Sequence, residues 1–151
     1  MNVKVKEVSP EQQLELNDAF KVRFEVFVQE QKVPEEEEID EFEETAVHFV
    51  AYEDSRPVGA GRLRFADGYA KVERICVLAS HRHTGAGRLI MEAVEQKAKI
   101  EGVHSMKLNA QISASGFYKK LGYHVTSGEF MDAGIPHLEM KKTLSAESRS
   151  V

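Results

Sequence analysis

Apolar and charged residues alternate over Met1-Asn2-Val3-Lys4-Val5-Lys6, the period-two pattern of an edge strand. Ser9-Pro10-Glu11-Gln12 then reads as a helix start, because the serine hydroxyl can cap, proline suits the first helical position and Gln12 can close a capping box. Leu16, Phe20, Phe24 and Phe27 recur at near-helical spacing and predict one apolar stripe against the core. Three strands follow, over 47–52, 57–65 and 69–78, joined by turns at Asp54-Ser55-Arg56-Pro57 and Asp67-Gly68. Gly59 and Gly61 inside the middle strand predict a bulge or a group passing close to the backbone.

The period changes in the second half. Ala86, Leu89, Ile90, Ala93, Val94 and Ala98 share a helical face that Gly102 is placed to end. A strand over 104–111 sets Met106, Leu108 and Ala110 against Lys107, Asn109 and Gln111. A short helix over 113–121, capped by Ser113 and stopped by Gly122, precedes two more strands near 123–129 and 137–144. A strand–helix–strand unit (71–111) following a meander implies a mixed α+β architecture, a mixed sheet with helices on its faces. One domain over 1–144 and a frayed tail over 145–151 are expected, since no repeat or linker interrupts the pattern.

Composition narrows the function classes. The 151 residues are 42% hydrophobic and 30% charged, as in an ordinary globular domain. A net charge of −5 argues against a general nucleic-acid binder, and no apolar segment approaches membrane-spanning length, so a cytoplasmic protein without a membrane partner is expected. The one cysteine, Cys76, sits in the apolar run Ile75-Cys76-Val77-Leu78 and reads as a small buried hydrophobe. The stretch 34–44 is mostly carboxylate; it reads as a solvated loop, with a rim attracting a cationic substrate as the other reading.

The informative segment is Arg82-His83-Thr84-Gly85-Ala86-Gly87-Arg88, which runs from a strand into a helix. Glycines let backbone N–H groups approach an anion, the helix start adds unpaired donors, and two arginines add charge. A pyrophosphate-bearing ligand suits this arrangement. The dinucleotide pattern Gly-x-Gly-x-x-Gly fails at Ile90, and no Gly-Lys-Ser/Thr completes a P-loop. Arg-x-x-Gly-x-Gly at residues 82, 85 and 87, after Glu73-Arg74-Ile75-Cys76-Val77 and before an amphipathic helix, resembles the acyl-CoA motif of the GNAT superfamily of N-acetyltransferases. Asn109 followed by Gly116-Phe117-Tyr118-Lys119-Lys120-Leu121-Gly122-Tyr123 resembles the second signature of that superfamily. Residues 23–31, the acidic run, His48-Phe49-Val50 and Ala133-Gly134-Ile135-Pro136-His137 are similar to a small, poorly characterised bacterial branch whose acceptors are not defined.

The resemblance implies a GNAT acyltransferase fold, with a mostly antiparallel sheet of about seven strands and helices on both faces. It also implies acetyl-CoA as cosubstrate, no metal, and direct transfer of an acetyl group to an amine. On that footing the backbone of Ile75, Cys76 and Val77 pairs with the pantetheine arm. The amides of Arg82, His83, Thr84, Gly85, Ala86, Gly87 and Arg88 hold the pyrophosphate, and Asn109 reaches the pantetheine or its thioester end. Tyr118 is the expected acid at sulfur, facing the cleft while Phe117 faces the core; a merely packed aromatic is the alternative. Glu73 is the candidate base, directly or through water, with a salt bridge to Arg74 or Arg62 as the alternative. His48 and His137 are candidates to line the acceptor pocket, although a lone histidine is usually structural. His81 and His83 lack a third ligand for a metal. The acceptor, a small molecule or a protein, and a homodimer are not readable from the chain. A non-catalytic acyl-CoA sensor of the same fold stands as the alternative to an enzyme.

Overall fold

The computed structural model describes residues 2–144, so the expected tail over 145–151 lies outside the described residues. Eight strands form one sheet: β1 (Val3–Val8), β2 (Val47–Glu53), β3 (Arg56–Ala66), β4 (Tyr69–Val77), β5 (Ser105–Gln111), β6 (His124–Val125), β7 (Phe130–Asp132) and β8 (Ile135–Thr143). Their order is β1-β2-β3-β4-β5-β8-β6, with β7 paired to β8. Every pair is antiparallel except β4–β5, which the helix α3 (Ala86–Ile100) connects as a crossover.

Helices cover both faces. A Cβ at Gly59 would lie 2.8 Å from Ile90 Cδ1, and one at Gly61 3.0 Å from Ile90 Cγ2, so these two glycines let α3 settle directly on β3. The α3 residues Ile90, Met91, Val94 and Ala98 are buried there. The opposite face takes α1 (Gln13–Arg23), whose Asp18 accepts a hydrogen bond from the Tyr52 hydroxyl and whose Phe20 meets His48 edge-on. Covered on both sides, β2 and β3 bury almost every central residue, His48–Ala51 and Val58–Leu63.

The start of α1 is partly as expected. Gln12 reaches back as a capping box requires, its Oε1 accepting from the Ser9 amide at 2.8 Å, but the Ser9 hydroxyl caps no helical amide and the helix begins only at Gln13. After Arg23 the coil widens into a π-helix, Phe24–Glu30. The apolar stripe therefore shifts to Leu16, Ala19, Val22 and Val26, with Phe20 and Phe27 only partly buried.

The acidic run is not a solvated loop throughout. A short helix α2 (Glu35–Glu38) and the turn after it carry Glu38 and Glu43 into the interior, where they are 3% and 6% exposed. Arg23, fully buried, donates to Glu38 Oε2 (2.9 Å) and to both oxygens of Glu43 (2.9 and 2.6 Å). Arg62, 1% exposed, donates to Asp40, Glu43 and Glu73, and Arg74 to Glu38 and Asp40. With Arg64 on Glu73, four arginines meet four carboxylates in one network. Buried charges persist only when paired in this way. Glu35, Glu36, Glu37, Glu41 and Glu44 remain exposed, as the local composition suggested.

The C-terminal third also departs in detail. Ser113 caps nothing: a 3-10 turn, Ile112–Ala114, precedes α4 (Ser115–Lys120), and the Ser115 hydroxyl donates to the Ile112 carbonyl. Between the two expected strands lies an additional one, β7, which forms a hairpin with β8 turned at Ala133-Gly134 with φ of 52° and 77°. Two successive positive φ values are the signature of a tight hairpin turn, and only the second residue is glycine.

Candidate active site

Strands β4 and β5 pair only from Ala70–Val72 to Met106–Leu108 and then part. The cause lies in β4: Arg62 pairs with Glu73 and Ala60 with Cys76, so β4 carries one residue more than β3 across this span. Arg74, with φ of 59°, is the bulged residue. A non-glycine residue in this conformation is held by its surroundings, here the hydrogen bonds from its guanidinium to the Glu38 and Asp40 carboxylates and the Glu38 carbonyl. Past the bulge, Glu73–Val77 keep β3 on one edge and have no partner strand on the other. That free edge and Asn109–Gln111 of β5 line a cleft of about 970 Å³.

One end of the cleft meets the start of α3. Gly85 precedes the helix with φ of 93° and no side chain caps it. The first intrahelical bond at this end is Leu89 N–H to Gly85 O, which leaves the amides of Ala86, Gly87 and Arg88 without a helical acceptor. A Cβ at Gly87 would stand 3.2 Å from Phe117 Cζ, so the bare backbone there is needed for the approach of α3 to α4. Thr84 Oγ1 donates to the His81 carbonyl and shapes the loop, while His83 takes a positive φ of 65°. Arg82 donates from Nε to the Val77 carbonyl (3.1 Å) and grips Glu30 with both Nη atoms. Arg88 is exposed and paired to Glu92. Open amides, a helix dipole and two arginines fit a pyrophosphate, and the free edge of β4 fits an extended amide-bearing chain.

Midway along the cleft lie Tyr118, Cys76, Glu73 and Asn109. Tyr118 is 7% exposed and packs edge-on to Phe117 and Tyr123. Both Phe117 and Tyr118 line the cleft, and Tyr118 is the more buried, the reverse of the expected division. The Tyr118 hydroxyl makes no hydrogen bond among the described residues yet is not sealed from the cleft. Burial, with Cys76 beside it, raises its pKa, so the phenol is held protonated. Burial likewise pushes the Cys76 thiol up to about 12, which leaves it a neutral packing group. Asn109 is exposed on the same cleft.

Glu73 is bound to Arg62 (Nη2, 2.7 Å) and Arg64 (Nε, 2.7 Å), and Arg74 turns away to the acidic segment. Burial raises the proton affinity of Glu73, but the arginine hydrogen bonds and charges outweigh it and the pKa is lowered. A carboxylate held this way is a weak proton acceptor. Lys71, two residues before it, lines the cleft half-buried and makes no ion pair or hydrogen bond among the described residues. Burial lowers its pKa, and Lys107 and Arg64 add to the effect.

The histidines divide. His137 lines the cleft; His48 does not, being fully buried with Nε2 on the Glu43 carbonyl. His81 is a structural residue between Ser80 and Glu53. The π-helical stretch brings Val26, Phe27 and Gln31 onto the cleft, and Gln31 accepts a hydrogen bond from Gln111. Sequence reasoning gave no site role to Lys71 or Gln31, and named Arg74 only as a salt-bridge partner of Glu73, whereas its guanidinium goes to Glu38 and Asp40. A signal for the buried carboxylates existed in Arg23 and Arg62, two arginines within otherwise apolar stretches, which demand buried anions nearby.

The residues 5–144 match the family model of the acetyltransferase (GNAT) domain. The uncharacterized N-acetyltransferase YjcF of Bacillus subtilis is 56% identical over 139 residues, covering 91% of this chain and 99% of that one. The uncharacterized protein YyaT of the same organism is 45% identical, covering 87% and 90%. Among solved structures, an acyl-CoA N-acyltransferase from Pseudomonas aeruginosa superimposes with a TM-score of 0.84 at 24% identity, covering 94% and 100%. The PaiA N-acetyltransferase from Thermoplasma acidophilum, solved with coenzyme A, gives 0.71 at 18%, covering 95% and 99%. A parted β4–β5 pair, a glycine-flanked helix start and a match spanning the fold converge: the chain belongs to the GNAT family of acetyltransferases.

Proposed function

We propose that the protein transfers an acetyl group from acetyl-CoA directly to the amine of an acceptor, a small molecule or a protein, in the cytoplasm. The observation that carries this reading is the cleft itself, an unpaired strand edge leading to open amides at a helix start. The coenzyme A bound to a neighbour of the same fold supports the same donor here. The backbone of Ile75, Cys76 and Val77 would hold the pantetheine arm, and the segment Arg82 to Arg88 the pyrophosphate. Asn109 would reach the arm from the β5 side. Bound acetyl-CoA supplies a thioester as acyl donor.

Tyr118 is the proposed proton donor to the departing sulfur, since its hydroxyl is protonated, open to the cleft and without a hydrogen-bond partner among the described residues. Glu73 is proposed to anchor Arg62 and Arg64 at the cleft, because the two arginines make it a poor base. An amine of pKa near 10 must lose a proton at a cost of roughly 4 kcal/mol at neutral pH. The experiment is a panel of amino acids, polyamines and peptides with acetyl-CoA, following CoA thiol and product mass. Amine-dependent thiol release with an acetylated product supports the enzyme. Tight acetyl-CoA binding with no turnover across the panel favours the sensor.

A further inference from the structure

We infer that His137 is the base that deprotonates the acceptor amine, an inference that rests on the transferase reading above. The imidazole lines the cleft on β8, opposite Gln111 in register. Its Nδ1 lies 2.7 Å from the Ile135 carbonyl oxygen. A carbonyl oxygen only accepts, so Nδ1 carries the hydrogen, and in the neutral ring Nε2 is a bare lone pair. That nitrogen has no hydrogen-bond partner among the described residues, and it is not sealed from the cleft. Phe130 stacks on the ring at 5.9 Å between centroids and 23° between planes, fixing its orientation from β7. A base locked in one tautomer, oriented by a carbonyl and opening into the cleft has the arrangement proton abstraction needs.

The other cleft groups are less suited. Glu73 is saturated by Arg62 and Arg64, and Cys76 is buried and neutral. Charges around His137 are otherwise occupied. On its own sheet face Glu139 is paired with Lys107, and Glu30, at the end of the π-helical stretch, is gripped by Arg82. Asp132 of β7 lines the cleft exposed and is the one acidic neighbour across the hairpin. Lys71 is the competitor, a half-buried amine on the same cleft.

The protons and electrons balance as follows. Nε2 of His137 takes one proton from the acceptor ammonium and later returns it to solvent. The neutral nitrogen forms the C–N bond to the acyl carbon as the C–S bond breaks, its electron pair going to sulfur. The sulfur takes a proton from Tyr118, which regains one from the acylated nitrogen. The sum is ammonium plus thioester to amide, thiol and one proton.

The test uses the full chain with acetyl-CoA and n-butylamine, spermidine or a tripeptide with a free N-terminus. The expectation for His137→Gln is a kcat lower by about a hundredfold or more, with loss of the acidic limb of the pH–rate profile and unchanged acetyl-CoA affinity. Free imidazole should partly restore His137→Ala, which a structural role would not produce. Turnover of His137→Gln within threefold of wild type, or with its acidic limb intact, overturns the proposal. Loss of that limb in Lys71→Met instead assigns the base to Lys71. Wild-type protein that releases no thiol with any amine defeats the transferase reading itself, and this proposal with it. Should the variants fail to fold, 15N-histidine NMR of the wild type decides. In the neutral ring the hydrogen must sit on Nδ1, and Nε2 must shift when spermidine is added to the CoA-loaded protein; the opposite tautomer overturns the assignment.

Discussion

Replacing Glu43 by glutamine keeps its shape and removes one negative charge from the centre of the buried network. Glu43 is 6% exposed and is shared by Arg23 and Arg62, themselves 0% and 1% exposed, so neither arginine can turn to water. The variant leaves four buried or half-buried cations against three carboxylates. Breaking a buried pair in this way costs about 3–5 kcal/mol, a large share of the roughly 5–15 kcal/mol of a typical domain. At this chain length about 3 °C is lost per kcal/mol, so the thermal midpoint should fall by roughly 9–15 °C. The assay is urea unfolding at pH 7 beside a control with Glu35, Glu36 and Glu37 changed to glutamine, which are exposed and should cost less than about 0.5 kcal/mol each. The pH dependence supplies a second readout. Burial raises the pKa of Asp40, Glu43 and Glu73, but the arginines outweigh it and the net shift is downward for all three. Groups with depressed folded-state pKa values contribute stability above their unfolded pKa, near 4, and lose it as pH falls through the folded value. Wild-type protein should therefore weaken progressively below about pH 4, and Glu43→Gln with a shallower slope. A Glu43→Gln protein within about 1 kcal/mol of wild type at pH 7, with an identical acid slope, would refute the reasoning.

Tyr118→Phe removes one oxygen that has no hydrogen-bond partner among the described residues, so stability and acetyl-CoA affinity should hold while kcat and kcat/KM fall together by about one to three orders of magnitude in steady-state thiol release. Gly85→Ala places a Cβ at φ of 93° and should cost about 1–2 kcal/mol in urea unfolding, although nothing blocks the added methyl closer than 3.9 Å. Ser113→Ala should change stability by less than about 0.5 kcal/mol, since the exposed hydroxyl caps no helix.

Much of the fold was legible because its signals are local. The Asp67-Gly68 turn, the α3 face from Ala86 to Ala98 and the glycines at 59, 61, 85 and 87 each report on neighbours within a few residues. The anion end of the cleft was legible for the same reason. What escaped detection depends on residues far apart in the chain. The carboxylates at 38, 40 and 43 look solvated until Arg23, Arg62, Arg64 and Arg74 are brought around them. The bulge at Arg74 arises from a register mismatch between β3 and β4 at Gly61, so the middle-strand glycines did mark an irregularity there, but nothing local shows that the extra residue lies in β4. His137 reads as a lone histidine until the hairpin turn at Ala133-Gly134 sets Ile135 O against its ring. Ser113 illustrates the converse error, a good capping residue that a 3-10 turn leaves outside the helix.

The central claim, that the β4–β5 cleft is an acyl-CoA site with its anion end at the start of α3, is tested most directly by calorimetric titration of acetyl-CoA into wild-type protein and Gly87→Val. A Cβ at this position would stand 3.2 Å from Phe117 Cζ and 3.8 Å from Val77 Cγ2, so the larger valine side chain crowds the helix start whose amides are open. The account predicts one site per chain in the wild type and binding weaker by at least about tenfold in the variant, a loss of 1.4 kcal/mol or more, with circular dichroism unchanged. Absence of binding to folded wild-type protein, or equal affinity in a folded Gly87→Val, would contradict it.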